Sequence, residues 1–259
     1  MKKAFILLFI LSNLSLSKKN IRDCSSSGIF LLSESKSIGL NQMIIIEGYA
    51  HSQKTINSFN DRNLYLVTDK DKVLLNHKAT YVGQMELTQA IFTPSILLKP
   101  NTTYYIELEN QTAKEKLLLR KWNNQVSKYE RLSITTGNKR SVNLNLKNIK
   151  FKFSETSFVS YGCGPETYSS FKIINQPKEK IFYKTEVKNI TTGKIKSYYL
   201  KSNKNEISIG HGMCSGAFVF TKNDNYTVRF TPINPNGELS IISKWVPLKN
   251  PYANHKNGW

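Results

Sequence analysis

The chain has 259 residues, 39% apolar and 21% charged, with a formal charge of +19. That length suits two domains, each large enough to bury a core without needing disulfides. The charge comes from lysine at roughly five to one over arginine, scattered among strand positions such as Lys147, Lys150 and Lys152, in a composition also rich in Asn. This pattern excludes a nucleic-acid reader, which needs arginine forks and interleaved aromatics. An anionic surface or polysaccharide remains as the charge-driven partner.

Residues 1–17 read as a secretory signal peptide. Lys2 and Lys3 precede an apolar run from Ala4 to Leu11, and Ser15-Leu16-Ser17 supplies small residues before a cut near Ser17. The run is less than half the ~20 residues a membrane anchor needs, and nothing downstream spans a bilayer. Loss of Lys2 and Lys3 leaves about +17 on a secreted or periplasmic chain.

The first domain is expected over 25–122. Ile29 to Leu32 opens it, and the β-branched run Gln42 to Tyr49 follows. Asn63 to Thr68 and Val73 to Leu75 flank the turn Asp69-Lys70-Asp71-Lys72, which reads as a hairpin. Gln84 to Phe92 fits either a strand or a helical turn and stops at Pro94. Leu98-Lys99-Pro100-Asn101-Thr102-Thr103-Tyr104 then turns a corner into the alternating row Tyr104, Ile106, Leu108. Lys116 to Trp122 is expected to close the sheet.

Residues 123–146 read as an extended connection able to pair with either domain, its turn residues flanking the alternation Leu132, Ile134. The second domain is expected over 147–249. Ile149 to Phe153 alternates, and Ile181 to Ile190 and Lys194 to Leu200 flank the hairpin turn Thr191-Thr192-Gly193. Ala217 to Thr221, Tyr226 to Thr231 and Leu239 to Val246 are further strands. Residues 250–259 read as a polar, loosely ordered tail.

Leu98-x-Pro100-x-Thr102-x-Tyr104-x-Ile106 resembles the strand E to F corner of fibronectin type III and bacterial Ig-like domains. Tyr226 to Phe230, followed by Asn234-Pro235-Asn236-Gly237, is similar to the closing strands of the same family. The resemblance implies an all-β protein of two tandem sandwiches, each a seven-stranded Greek key with a tyrosine pinning its corner. Neither half carries the family's strand-B tryptophan, and the antibody-type inter-sheet disulfide is absent. Such sandwiches host many unrelated functions.

Cys163, in Tyr161-Gly162-Cys163-Gly164-Pro165, and Cys214, in Gly210-His211-Gly212-Met213-Cys214-Ser215-Gly216, share glycine-rich settings. In an oxidising compartment they are expected to pair, leaving Cys24 free, paired with another chain, or in place of one partner. A rival reading joins Cys163, His211 and Cys214 as soft metal ligands or a thiol–imidazole pair. No hydrolase, metalloprotease or phosphate-loop motif occurs, so no catalytic residue and no cofactor is assigned. Tyr104-Tyr105 and Tyr198-Tyr199 each place one ring on either sheet face, so one member of each is expected to be exposed. Trp122 and Trp245 are expected in the core or at the domain junction. The sequence thus points to a non-enzymatic binding protein for an envelope protein or surface glycan. The alternatives are the metal- or thiol-dependent protein and a structural spacer.

Overall fold

A computed structural model describes residues 24, 27–32, 37–162 and 164–254. The expected signal segment, Cys163 and the end of the tail lie outside them. No helix among the described residues is long and apolar enough to cross a membrane. Strands β1 (Gly28–Leu31), β2 (Ile44–Tyr49), β3 (Leu64–Val67), β4 (Lys72–Val82), β5 (Leu87–Pro94) and β6 (Thr103–Leu108) build the first half, with the short helix α1 (Gln53–Asn57) after β2. Helix α2 (Ala113–Leu118), the hairpin β7 (Arg120–Asn123) and β8 (Lys128–Arg131), and a closing strand β9 (Ser133–Thr135) follow. The main sheet runs β1-β2-β5-β4-β3-β6-β9, antiparallel throughout.

One strand turns this sheet into two layers. Lys72 to Leu75 of β4 pair with β3, and Leu75 to Val82 pair with β5, with a register shift within that second pairing between His77 and Ala79. A bulge bends its strand and deepens the twist, so β4 crosses from one layer to the other. Ile44, Ile46, Phe92, Leu64, Leu66 and Ile106 fill the space between the layers.

The second half comprises β10 (Lys150–Tyr161), β11 (Gly164–Ile174), β12 (Phe182–Asn189), β13 (Ile195–Lys201), β14 (Glu206–His211), β15 (Tyr226–Ile233) and β16 (Val246–Leu248). They form two sheets, β10-β11-β14 and β13-β12-β15-β16. This order repeats that of the first half, where β1-β2-β5 continues into β4-β3-β6-β9. Its core is aromatic: Phe151 stacks on Phe230 at 4.2 Å between ring centroids, and Phe171 meets Phe230 edge-on at 5.4 Å.

Each half carries the same lock. The buried Tyr104 hydroxyl accepts the Lys99 backbone N–H at 2.9 Å, and the buried Tyr226 hydroxyl accepts that of Thr221 at 2.9 Å. Both bonds reach five residues upstream and fix the loop entering the strand.

Several expectations are corrected. Lys116 to Trp122 does not close the first sheet, because α2 forms instead and β9 takes the closing place. Ala, Lys, Glu and Leu favour helix, and Thr112 with Glu115 makes a reciprocal capping box. The Arg62 guanidinium bonds the Glu115 carboxylate at 2.7 Å and holds it down to about 2. Of Gln84 to Phe92, Leu87 onward is strand β5, which runs through Thr93 to end on Pro94, while Gln84 to Glu86 precede it. Ala217 to Thr221 is irregular chain although Phe218 and Phe220 are buried. The strand in that region is β14, whose signal was the alternation of buried Ile207 and Ile209.

Leu239 to Val246 follows β15 only through scattered bonds, Ser240 N–H to Pro232 O and Ser243 N–H to Phe230 O, and regular pairing begins at Val246. Within 123–146, β9 completes the first sheet, whereas Leu144 and Leu146 pack on the second core. The tail is docked as far as it is described: Pro251 is buried and Tyr252 meets Phe158 edge-on.

Replacing Tyr104 or Tyr226 with Phe strands a backbone donor, at a cost of about 1–2 kcal/mol each. Urea unfolding of the two variants should show similar losses; an unchanged midpoint in either would mean that its hydroxyl bond is not a lock.

Candidate functional site

The alternation that builds the cores leaves the odd-numbered residues of β2 and β5 facing outward. They are not solvated. Met43, Ile45 and Ile91 of the first half pack with Phe182, Tyr199 and Ile233 of the second in a separate apolar cluster. Burial on both faces explains the unbroken apolar run Met43-Ile44-Ile45-Ile46. It also corrects the expectation for Tyr198-Tyr199: Tyr198 enters the second core and Tyr199 the junction, so both are buried. Tyr104-Tyr105 keeps the expected split, with Tyr104 buried and Tyr105 exposed.

Polar groups fix the register of the two halves. Gln89 is fully buried, and its Oε1 accepts the Tyr199 N–H at 2.7 Å while its Nε2 donates to the Tyr199 carbonyl at 3.2 Å. One side-chain amide thereby does for the edge strand β13 what a neighbouring strand would do. The Tyr198 hydroxyl donates to Glu47 at 2.9 Å, and burial, with the Glu47 charge adding, pushes its pKa upward. Tyr81 stacks on Tyr199 at 5.3 Å.

A disulfide clamps one end of the junction, joining Cys24 to Cys214 across 190 residues. The expected pairing of Cys214 with Cys163 is replaced by the exchange that the odd cysteine allowed. The backbone explains the choice: Met85 and Gly216 exchange N–H···O bonds of 3.1 and 2.8 Å, and the Tyr49 hydroxyl donates to the Cys24 carbonyl at 2.9 Å. These contacts bring the first half onto the glycine-rich loop. The glycines of that loop serve packing, since a Cβ at Gly216 would overlap His211 and one at Gly210 would overlap the Thr167 carbonyl. His211 is buried, with Nδ1 at 2.9 Å from the Gly212 carbonyl. With its Cys214 neighbour oxidised, the proposed His211–Cys214 pair lacks a thiolate, and no group of three or more His, Cys, Asp or Glu residues suited to a metal gathers among the described residues.

At the other end of the junction a groove of about 700 Å³ opens between the halves. Its wall carries Lys139, Arg140, Lys180, Lys201 and Lys204, with Glu179 as the only acid among the described lining residues. Lys204 and Asn205 both have positive φ, in the tight turn that carries β13 into β14 and sets Lys204 at the rim. Amide and hydroxyl side chains, including Gln42, Asn138 and Ser202, share the lining with apolar residues such as Ile38, Val142 and Phe182. Sequence reading missed this groove because its cations come from segments far apart along the chain.

Trp122 and Trp245 are corrected as well. Trp122 stands about half exposed (49%) on the β7–β8 hairpin, and Trp245 is partly exposed beneath the Arg229 guanidinium at 4.5 Å. Neither belongs to a core cluster.

Gln89→Ala should cost about 2–4 kcal/mol, because both backbone groups of Tyr199 lose their partners inside the junction. Calorimetry should then split one unfolding transition into two; a single unshifted transition would contradict the assigned role of Gln89. Non-reducing peptide mapping should find Cys24 linked to Cys214, with one titratable thiol per chain, and a Cys163–Cys214 peptide would refute this pairing.

No family model matches the chain, and no curated protein matches it in sequence. Among solved structures it is similar to a pullulanase from an Anoxybacillus species, at 10% identity and a TM-score of 0.25, over 88% of this chain and 26% of that one. The maltotriose complex of a pullulanase from the same source gives 10% identity and a TM-score of 0.26 over the same shares. A chain of a cytokine receptor complex gives 7% identity and a TM-score of 0.25, over 88% of this chain and 98% of that one. The chain spans about a quarter of the pullulanase structures it matches, and overlays this loose say nothing about activity or ligand.

Proposed function

We propose that this is an exported, non-enzymatic binding protein of two tandem Ig-like sandwich domains, and that its junction groove receives an anionic glycan of the cell envelope. The observation that carries the reading is the lining of the groove, five cations to one carboxylate around about 700 Å³. That volume lies in the range of small-ligand sites, and such a charge excess concentrates anions. The amides and hydroxyls between the cations suit sugar hydroxyls as donors and acceptors.

The Ig-like assignment is supported by the repeated strand order and by a tyrosine lock in each half. Export is supported by the signal-like segment and by the Cys24–Cys214 disulfide, since such bonds persist in oxidising compartments. The welded junction supports binding rather than hinge motion, because a ligand between two fixed walls meets a pre-formed site.

The test is titration calorimetry of the full chain with a short oligogalacturonate and with a neutral malto-oligosaccharide. The acidic sugar should bind, weaken as salt rises, and lose at least about tenfold in affinity in a Lys139→Glu/Arg140→Glu/Lys180→Glu variant. Equal affinity for the neutral sugar, or no response to the charge reversals, would remove the reading.

A further inference from the structure

The two halves share one strand order, but the first carries an insertion near its end that the second lacks. Between β6 and β9 the first half inserts α2 and the β7–β8 hairpin; the corresponding stretch between β15 and β16 contains no strand pair of its own. The hairpin joins no other sheet among the described residues, and an isolated two-stranded ribbon is marginal in water. Its pairing register sets Trp122 opposite Tyr129 and Arg120 opposite Arg131. Side chains alternate between faces along a strand, so these four share one face. Trp122 and Tyr129 are 49% and 59% exposed and meet edge-on at 5.1 Å. The Arg131 guanidinium lies over the exposed ring of Tyr105 at 4.6 Å and extends the face onto β6. Lys121, Asn123, Lys128 and Glu130 occupy the opposite face.

The arginines are informative against the background of this chain, which has thirty-one lysines and only six arginines. Arg62 and Arg229 are committed to partly buried ion pairs with Glu115 and Glu186. Arg120 and Arg131 instead sit opposite each other without a carboxylate, Arg120 with its Nη2 donating to the Tyr129 carbonyl at 2.6 Å and Arg131 over the Tyr105 ring. No ion pair neutralises either among the described residues. Exposed Trp, Tyr and Arg gathered on one face is the composition of an interface centre.

We propose that the face of Tyr105, Arg120, Trp122, Tyr129 and Arg131 docks an acidic protein surface. Carboxylates of the partner meet the two guanidinium groups, Arg120 through the N–H donors left beside its bond to the Tyr129 carbonyl. Apolar side chains of the partner cover the two rings. The geometry disfavours other occupants. A sugar chain needs a flat aromatic platform, whereas these rings stand at 70° to each other. A bilayer is met by a protruding apolar tip, and here the turn carries a single exposed Val126 among polar Asn124, Gln125 and Ser127 while the aromatics lie on the face. A second copy of this chain, strongly cationic, would bring like charge onto the arginines. With the groove at the junction, the protein then has two separate binding surfaces.

Fluorescence anisotropy of a labelled synthetic peptide alternating Glu with Leu and Phe, titrated with the full chain, tests the proposal. Saturable binding is expected, at least about tenfold weaker when the peptide carries Gln for Glu. Trp122→Ala/Tyr129→Ala and Arg120→Gln/Arg131→Gln should each lose at least about tenfold. These side chains are exposed, so melting followed by circular dichroism should leave all variants folded. The groove variant Lys139→Glu/Arg140→Glu/Lys180→Glu should keep its peptide affinity, which separates failure here from failure of the glycan reading. Absence of saturable binding, or binding indifferent to the hairpin substitutions, overturns the proposal. Displacement of the peptide by phosphatidylglycerol vesicles or by oligogalacturonate, through the same residues, overturns it in favour of a lipid or a sugar.

Discussion

The burial of one sheet face of the first half against one sheet face of the second governs the rest of this structure. An outward face bearing Met43, Ile45 and Ile91 cannot be left in water without a cost of about 1.5–3 kcal/mol for each large side chain. Packing it on Phe182, Tyr199 and Ile233 removes that cost and joins the two halves. Gln89 then decides the alignment, because its amide satisfies both backbone groups of Tyr199 in only one register. Apolar contact alone is non-directional and would tolerate sliding; the amide pair does not.

The other features follow from that register. It brings the turn at Met85 to Gly216, which places Cys214 beside Cys24 and lets the disulfide close. The glycines flanking Cys214 are needed within the second half itself, Gly210 against Thr167 and Gly216 against His211. At the opposite end the same register holds the walls of the cationic groove apart, with Met43 N–H on the Pro235 carbonyl as its nearest strut. Groove and disulfide are two ends of one weld. The hairpin on the far layer of the first half is independent of it.

Much of the architecture was legible in the sequence. Proline, asparagine and threonine before an alternating tyrosine row announced the Tyr104 corner, and the weaker version at Tyr226 made the same bond. Period-two alternation located most strands. The α2 segment was misread because Leu117-Leu118-Leu119 looks like a strand until Thr112 and Glu115 are seen to cap a helix. The tryptophans were misplaced for a related reason. Size and aromaticity argue for burial, but a two-stranded ribbon has no layer to bury Trp122 against.

By itself, the sequence determined the all-β class, the two tyrosine corners and the excess of positive charge, because each rests on neighbours within a few residues or on simple counts. The candidate sites needed the tertiary structure. Lys139, Lys180 and Lys204 share a groove, and Cys24 meets Cys214, only after two sheets have packed in one register. The alternation along β2 shows which residues point outward, but not that a second sheet covers them. That depends on the shape and hydrogen bonding of a surface more than a hundred residues away, and no local pattern records it.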